Sequence, residues 1–278
     1  MEGTLRVGDI EIVALRDSVL PLRLDRMFPD TALTEFAAFR ERYPGMLTPD
    51  LWITPVRAFV IRSSGWSLLF DSGIGTLSGF AARYDTRPAL LDELRALALS
   101  PERIETVVLS HIHLDHAGGV TRQDGDGLAA VFPRARHYLH PADLALARGW
   151  AAQTQAYART ILELEQRGLL ADSSDGHRLN DAVSLLHTPG HTPGSTSALV
   201  LSRREGALLT ADAVPNAMLV TEPGWRFSSD HDHARAFATR LALMDRVERE
   251  GLKLVPTHMP EPFGGIVRVA GKRYWRGG

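Results

Sequence analysis

The stretch Ser110-His111-Ile112-His113-Leu114-Asp115-His116-Ala117-Gly118-Gly119 decides how the rest of the chain is read. It follows Thr106-Val107-Val108-Leu109, an apolar run that predicts a buried strand. His111 and His113 are two residues apart, so an extended segment sends both side chains to one side. Asp115 and His116 come next, where the chain must turn before the Gly118-Gly119 pair. Three imidazoles and a carboxylate within the six residues from His111 to His116 make a poor surface unless something binds them. These donors suit zinc and other borderline divalent metals. The competing reading is a polar loop whose histidines satisfy backbone groups. A lone histidine would favour it, and four such groups at this spacing weigh against it.

Composition narrows the chemistry further. The chain has 278 residues, 44% of them apolar, with 31 basic and 33 acidic side chains and a net charge of −2. That mixture supports a sizeable core and argues against a disordered chain. Near-neutral charge without a basic run argues against nucleic acid as a partner. No apolar stretch approaches the roughly 18 residues of a membrane span. The opening residues, MEGTLRVGDIEIVALRD, place acids among the apolar side chains and lack a signal-peptide core, so a cytoplasmic protein is expected. With no cysteine, a thiol nucleophile, disulfide scaffold, zinc ribbon or iron–sulfur cluster is excluded. Any metal must be held by His, Asp, Glu or backbone oxygen.

Apolar runs alternate with amphipathic stretches throughout, which predicts strands interleaved with helices in one layered domain spanning 1–278. Strands are expected at Ile10–Leu15, Ala58–Arg62, Ser67–Phe70, Thr106–Leu109, His137–Leu139, Val183–Leu186, Ser197–Leu201, Ala207–Thr210 and Leu252–Val255. Helices are expected at Pro88–Leu97, Pro141–Arg148, Gln153–Arg167 and His233–Glu250, the last with Phe237, Leu241, Met244 and Val247 as a buried stripe.

HIHLDHAGG resembles the HxHxDH signature of the metallo-β-lactamase superfamily, and the other signatures of that family follow in order. Asp71-Ser72-Gly73-Ile74-Gly75 is similar to its D-x-G-x-G turn, and His187–Ser195, HTPGHTPGS, to its TPGHTPG loop. Thr210-Ala211-Asp212 resembles its strand-end Gly-Asp motif, and Thr257-His258-Met259-Pro260 its last ligand strand. The resemblance implies an α/β fold, the four-layer αββα sandwich, with two divalent metal ions, zinc foremost and Mn, Fe or Co as alternatives. It implies His111, His113 and His191 on the first metal, Asp115, His116 and His258 on the second, and Asp212 bridging them. A carboxylate has two oxygens for such a bridge, and a buried Asp212 without a cation nearby would be expensive.

The remaining histidines read more plainly. His187 is assigned to structure, and Asp71 is the better candidate for orienting a ligand imidazole. His137, His140 and His177 lack spacing partners and are expected as satisfied core or surface residues. Asp230 or Asp232 is expected to cap the last helix.

Among branches of the superfamily, the absence of cysteine removes the zinc β-lactamases that use a cysteine ligand. His113 stands where the flavodiiron branch has Glu, and the RNA-processing nucleases need larger domains and basic surfaces. The order from Asp212 to Gly264-Gly265-Ile266-Val267 resembles the branch of methyl parathion hydrolase and related lactonases. One departure is Pro215, which stands where many acyl-homoserine lactonases carry a tyrosine that polarises the lactone carbonyl. Asn216 follows it as a candidate replacement.

The expected activity is a dinuclear metallohydrolase, with a bridging hydroxide attacking a small lactone, ester or organophosphate. Asp115 and Asp212 are its catalytic carboxylates, Asp115 also carrying a proton to the leaving group. The alternatives are a thioesterase or cyclase of secondary metabolism, an iron-dependent thiol dioxygenase, and a non-catalytic binding protein on the same fold. The expected partner is a small-molecule substrate, with neither nucleic acid nor membrane, and a homodimer is expected by analogy with the branch. Met27-Phe28, Leu51-Trp52, Trp225 and Phe227 are read as loop residues that form either an apolar substrate mouth or ordinary core.

Overall fold

A computed structural model of the chain describes residues 2–77, 80–152 and 158–278. From the N-terminus run β1 (Gly3–Val7) and β2 (Ile10–Arg23), helices α1 (Leu24–Met27) and α2 (Ala37–Arg42), then β3 (Leu51–Ser63) and β4 (Trp66–Phe70). Helices α3 (Phe80–Arg83) and α4 (Leu90–Ala96) lead to β5 (Thr106–Val108) and the short helix α5 (Leu114–Ala117). A hairpin of β6 (Thr121–Asp124) and β7 (Gly127–Ala130) precedes β8 (Arg136–Leu139), α6 (Pro141–Ala152), α7 (Ala158–Gln166) and β9 (Leu170–Asp172). The second half holds β10 (Val183–His187), β11 (Thr196–Ser202), β12 (Glu205–Leu209), α8 (Ala217–Thr221) and α9 (His233–Glu250). It closes with β13 (Lys253–Val255), β14 (Gly264–Val269) and β15 (Lys272–Gly277).

Two sheets face each other, ordered β1-β2-β3-β4-β5-β8-β9 and β10-β11-β12-β13-β14-β15. Period-two alternation explains the layering. On β2, Ile12 and Ala14 point to the core between the sheets, while Val13 and Leu15 point to a second core under α4, α6 and α7. On β11 and β12, Ala198, Val200, Ala207 and Leu209 join the central core, while Leu199 and Leu208 face α8 and α9. Helix, sheet, sheet and helix therefore stack as the expected αββα sandwich.

The differences from the expected elements have local causes. The strand expected at Ile10–Leu15 continues to Arg23 because a bulge between Arg16 and Ser18 absorbs Asp17, whose charge breaks the apolar pattern. That buried carboxylate accepts the amides of Ile74, Ala89 and Leu90, so the helix expected from Pro88 starts at Leu90. The strand expected at Ala58–Arg62 begins at Leu51, with Pro55 paired opposite Val19. Leu51 and Trp52 are thus in a strand and not in a loop. Residues 153–157 of the helix expected at Gln153–Arg167 lie outside the described residues, and α7 covers the rest. Helix α9 matches its expected span, but Phe237 is 36% exposed and the buried face runs through Ala236, Arg240, Leu243, Met244 and Val247. An arginine occupies the stripe where an apolar residue was expected. Strands β1, β6, β7, β9, β14 and β15 lie where the sequence reading expects none.

Candidate metal centre

The C-terminal ends of β5, β12 and β13 and the loop from β10 to β11 meet at one edge of the sandwich. The Thr196 amide donates to the Ser110 carbonyl at 2.8 Å, tying the two sheets together beside the first histidine. The turn after β4 is packed from below. Asp71 has φ 64°, the Ser72 amide donates to the His116 carbonyl (2.7 Å), and the Gly119 amide donates to the Gly73 carbonyl (3.1 Å). A Cβ on Gly75, at φ +59°, would run into the Gly118 carbonyl, so glycine is required there. Ala211, beside Asp212, also holds a left-handed φ of 42°. Strained backbone on both sides of one site marks it as a functional edge.

The predicted donors converge in two groups, His111, His113, His191 and Asp212 in one and Asp115, His116 and His258 in the other, each with its ligand atoms within 4.8 Å. In the first group His113 Nδ1 lies 3.0 Å from His111 Nε2 and 2.9 Å from His191 Nε2. Asp212 spans both groups. Its Oδ2 is 3.2 Å from His191 Nε2, while its Oδ1 is 3.3 Å from His116 Nε2 and 3.1 Å from His258 Nε2. Asp115 Oδ2 is 3.4 Å from His258 Nε2 and 3.6 Å from His116 Nε2.

The outward nitrogens are held by the protein. His116 Nδ1 meets Asp71 Oδ2 at 2.8 Å, His191 Nδ1 meets Asp230 Oδ1 at 3.0 Å, and His258 Nδ1 meets the Pro55 carbonyl at 2.7 Å. His111 Nδ1 lies 3.0 Å from Ser110 Oγ, which donates to Asp71. Such partners fix each tautomer and aim the other nitrogen inward. Inside, His116 Nε2 and Asp212 Oδ1 approach each other but are buried without a well-formed hydrogen bond among the described residues.

The electrostatics of this set favour a cation. Burial, with His116, His113 and His191 nearby, holds His111 well below the usual imidazole range. Burial and His191 push His113 down to about 3. Burial also opposes charge on His116 and His191, but the carboxylates outweigh it, raising His116 well above its usual value and His191 to about 9. Burial would raise Asp212, yet His258, His116 and His191 hold it well below the usual carboxylate range. The carboxylates draw positive charge inward, while the crowded imidazoles repel each other's protons. Divalent cations between the inward lone pairs satisfy both demands, so the donor set fits the metals that the sequence implies.

Several supporting residues were not legible beforehand. Asp230 orients His191 and also accepts from Arg240, leaving Asp232 alone as the cap of α9, accepting from the Arg235 amide. Asp143 is fully buried and accepts from the Ile112 amide, Thr192 Oγ1 and the Gly194 amide, joining the two histidine loops. Burial pushes its carboxyl up to about 6, against the lowering effect of those donors. A buried acid at the start of α6 has no sequence signature linking it to either loop.

The other candidates fall away from the centre. His187 stacks on His140 at 4.0 Å, and its Nε2 meets the Pro193 carbonyl. His177 packs on Tyr138. His137 departs from the expected satisfied residue: it is fully buried, and neither ring nitrogen has a hydrogen-bond partner among the described residues. Asn216 caps α8 through its Oδ1 and is fully buried. The aromatic residues resolve mainly as core. Phe28, Trp52 and Phe227 are buried, with Trp52 edge-on to His258 (5.9 Å) and Phe227 stacked near His191 (6.0 Å). Trp225 and Met27 are partly buried against them.

The chain belongs to the metallo-beta-lactamase superfamily, whose family model matches residues 52–258. The chain is a metal-dependent hydrolase that resembles the lactonase-like branch. It is similar to the N-acyl homoserine lactonase AiiB of Agrobacterium fabrum, 27% identical over 237 residues that cover 77% of this chain and 83% of the relative. It is also similar to the N-acyl homoserine lactonase AttM of Azorhizobium caulinodans, 29% identical over 190 residues covering 64% and 67%. Among solved structures, AidC, a dizinc quorum-quenching lactonase in complex with a product, shares the fold with a TM-score of 0.86 at 21% identity, over 99% of this chain and 97% of that one. The hydrolase AbOPH has a TM-score of 0.81 at 21% identity, over 99% and 96%.

Proposed function

We propose that this chain is a dinuclear lactone hydrolase whose substrate is a small lactone of the N-acyl homoserine type. The observation that carries the reading is Asp212, with one carboxylate oxygen facing each histidine group. The similarity to AiiB and AttM supports the substrate class.

His111, His113 and His191 would hold one divalent cation, and Asp115, His116 and His258 the other, with Asp212 shared. Two such ions, zinc by the chemistry of these donors, bring the pKa of water towards neutrality and polarise an ester carbonyl. Hydrolysis adds a water oxygen to the lactone carbonyl carbon and breaks the ring C–O bond, and the departing alkoxide must receive a proton. Asp115 is suited to carry it, taking the proton that the attacking water loses and passing it to the alkoxide. Its side chain is 22% exposed, whereas those of His116 and His258 are at most 3% exposed, so this carboxylate faces the open side of the centre. Asp71, Asp230 and the Pro55 carbonyl hold the imidazoles in place meanwhile.

Pro215 leaves the tyrosine position without a donor, and Asn216, the neighbouring amide, is fully buried at the α8 cap, with its Oδ1 accepting from the Leu219 amide and its Nδ2 turned to no partner among the described residues. Polarisation of a substrate carbonyl would then be supplied by the cations that these His and Asp residues would hold. The same cations would polarise a phosphoryl oxygen, which makes phosphotriesters the second substrate class to test.

The test is a panel of acyl homoserine lactones, aryl esters, thioesters and phosphotriesters, with oxygen consumption followed in parallel. Chelator-sensitive turnover led by lactones supports the proposal. Preference for thioesters, or oxygen uptake without hydrolysis, would replace it with the thioesterase or dioxygenase reading.

A further inference from the structure

Two arginine side chains, Arg57 and Arg240, are fully buried, which is costly for a charge unless its donors are used. Each makes hydrogen bonds beside a different set of candidate metal-site residues. Arg57, on β3, donates through Nη1 to the carbonyls of Thr257 (3.0 Å) and Met259 (2.6 Å), and through Nη2 to Pro260 (2.9 Å). Thr257 and Met259 flank His258. The same strand supplies the Pro55 carbonyl that accepts from His258 Nδ1. Strand β3 thus fixes both the backbone and the ring of His258, and Glu2 neutralises Arg57 from the far side.

Arg240 lies in the middle of α9. Its Nε donates to the Ala213 carbonyl (3.1 Å), Nη1 to Pro223 (3.2 Å) and Nη2 to Asp230 Oδ2 (3.2 Å). Ala213 follows Asp212, and the other oxygen of Asp230 meets His191 Nδ1. One guanidinium therefore reaches His191 through a carboxylate and Asp212 through the main chain.

We propose that Arg57 and Arg240 are separate positioning residues: Arg57 sets His258 and the second cation position alone, and Arg240 sets His191 and Asp212, hence the first position and the bridge. The inference rests on the dinuclear reading above. Its chemical basis is the planar fork of guanidinium, whose donors span several fixed carbonyls at once. An ammonium has the charge but not that reach.

The experiment is a zinc titration of chelator-stripped protein against a chromophoric competing chelator, for wild type, R57K and R240K. Circular dichroism and melting of the stripped proteins confirm folding. In R57K one zinc equivalent should stay within about twofold of wild type while the other loses about 10- to 100-fold in affinity, the usual scale for groups that orient ligands. In R240K both equivalents should weaken. If R57K does not fold, R57Q carries the same expectation, since it gives up the buried charge and leaves Glu2 its contact with Arg16. R57K weakening both equivalents alike, or neither, overturns the inference while the dinuclear reading stands. A folded wild type that takes up no zinc overturns the dinuclear reading, and the inference with it.

Discussion

His116 Nδ1 and Asp71 Oδ2 sit 2.8 Å apart with both side chains fully buried. Asp71 also accepts from the amide and hydroxyl of Ser110, so one carboxylate orients a ligand imidazole and anchors the strand end that precedes His111. Its backbone is left-handed, which costs Ala more than Asn. Asp71→Asn should fold but lose about 10- to 100-fold in metal affinity. Asp71→Ala should in addition lose about 1–2 kcal/mol of stability from backbone strain. Chelator competition and denaturant melts separate the two effects, and equal stability of the two variants would contradict the strain argument.

Gly75 tests the close packing beneath the centre. Gly75→Ala meets both a left-handed φ and the Gly118 carbonyl, and should cost about 2–4 kcal/mol while loosening the His116 loop. Gly45 has φ +84° but open space around its Cα, so Gly45→Ala should cost only about 1 kcal/mol. Urea midpoints of the two variants measure the difference.

His137 gives the stability curve an acid edge. Burial holds it at about 4 against an ordinary value of 6.5. The unfolded chain takes up a proton near 6.5 and the folded chain only near 4. The folded state therefore has its full advantage above 6.5 and loses it progressively as pH falls through this window, by about 3 kcal/mol in all. His137→Leu should flatten the stability profile between pH 6.5 and 4, and an unchanged profile would show that His137 does not carry it.

Asp115→Asn keeps a ligand oxygen but cannot deliver a proton. Turnover of alkyl lactones should fall by about 100-fold, on the scale of general acid catalysis. Aryl esters with good leaving groups should fall less, once metal loading is shown to be equal. A uniform loss across leaving groups would assign Asp115 to metal binding alone.

The candidate donors were readable, His111, His113, Asp115 and His116 from short spacings that put them on one strand end and turn, and His191, Asp212 and His258 from the resemblance of their motifs to the family's. Their supports were not, because each acts across the fold. Asp143 joins loops 31 and 49 residues away in sequence, Arg57 meets a loop some 200 residues on, and Asp230 looks locally like a helix cap. Asp17 hid the length of β2, since a buried charge at a bulge reads as the end of a strand. The apolar pattern of α9 likewise gave its span but not its buried face, because Arg240 is internal only in the presence of Asp230 and the carbonyl of Ala213.

The most direct measurement is metal content per chain for the wild type and Asp212→Ala, alongside lactone turnover. About two divalent ions per chain in the wild type, with loss of metal and of most turnover in the variant, is the predicted result. Unchanged metal content and turnover in Asp212→Ala would contradict a centre bridged by that carboxylate.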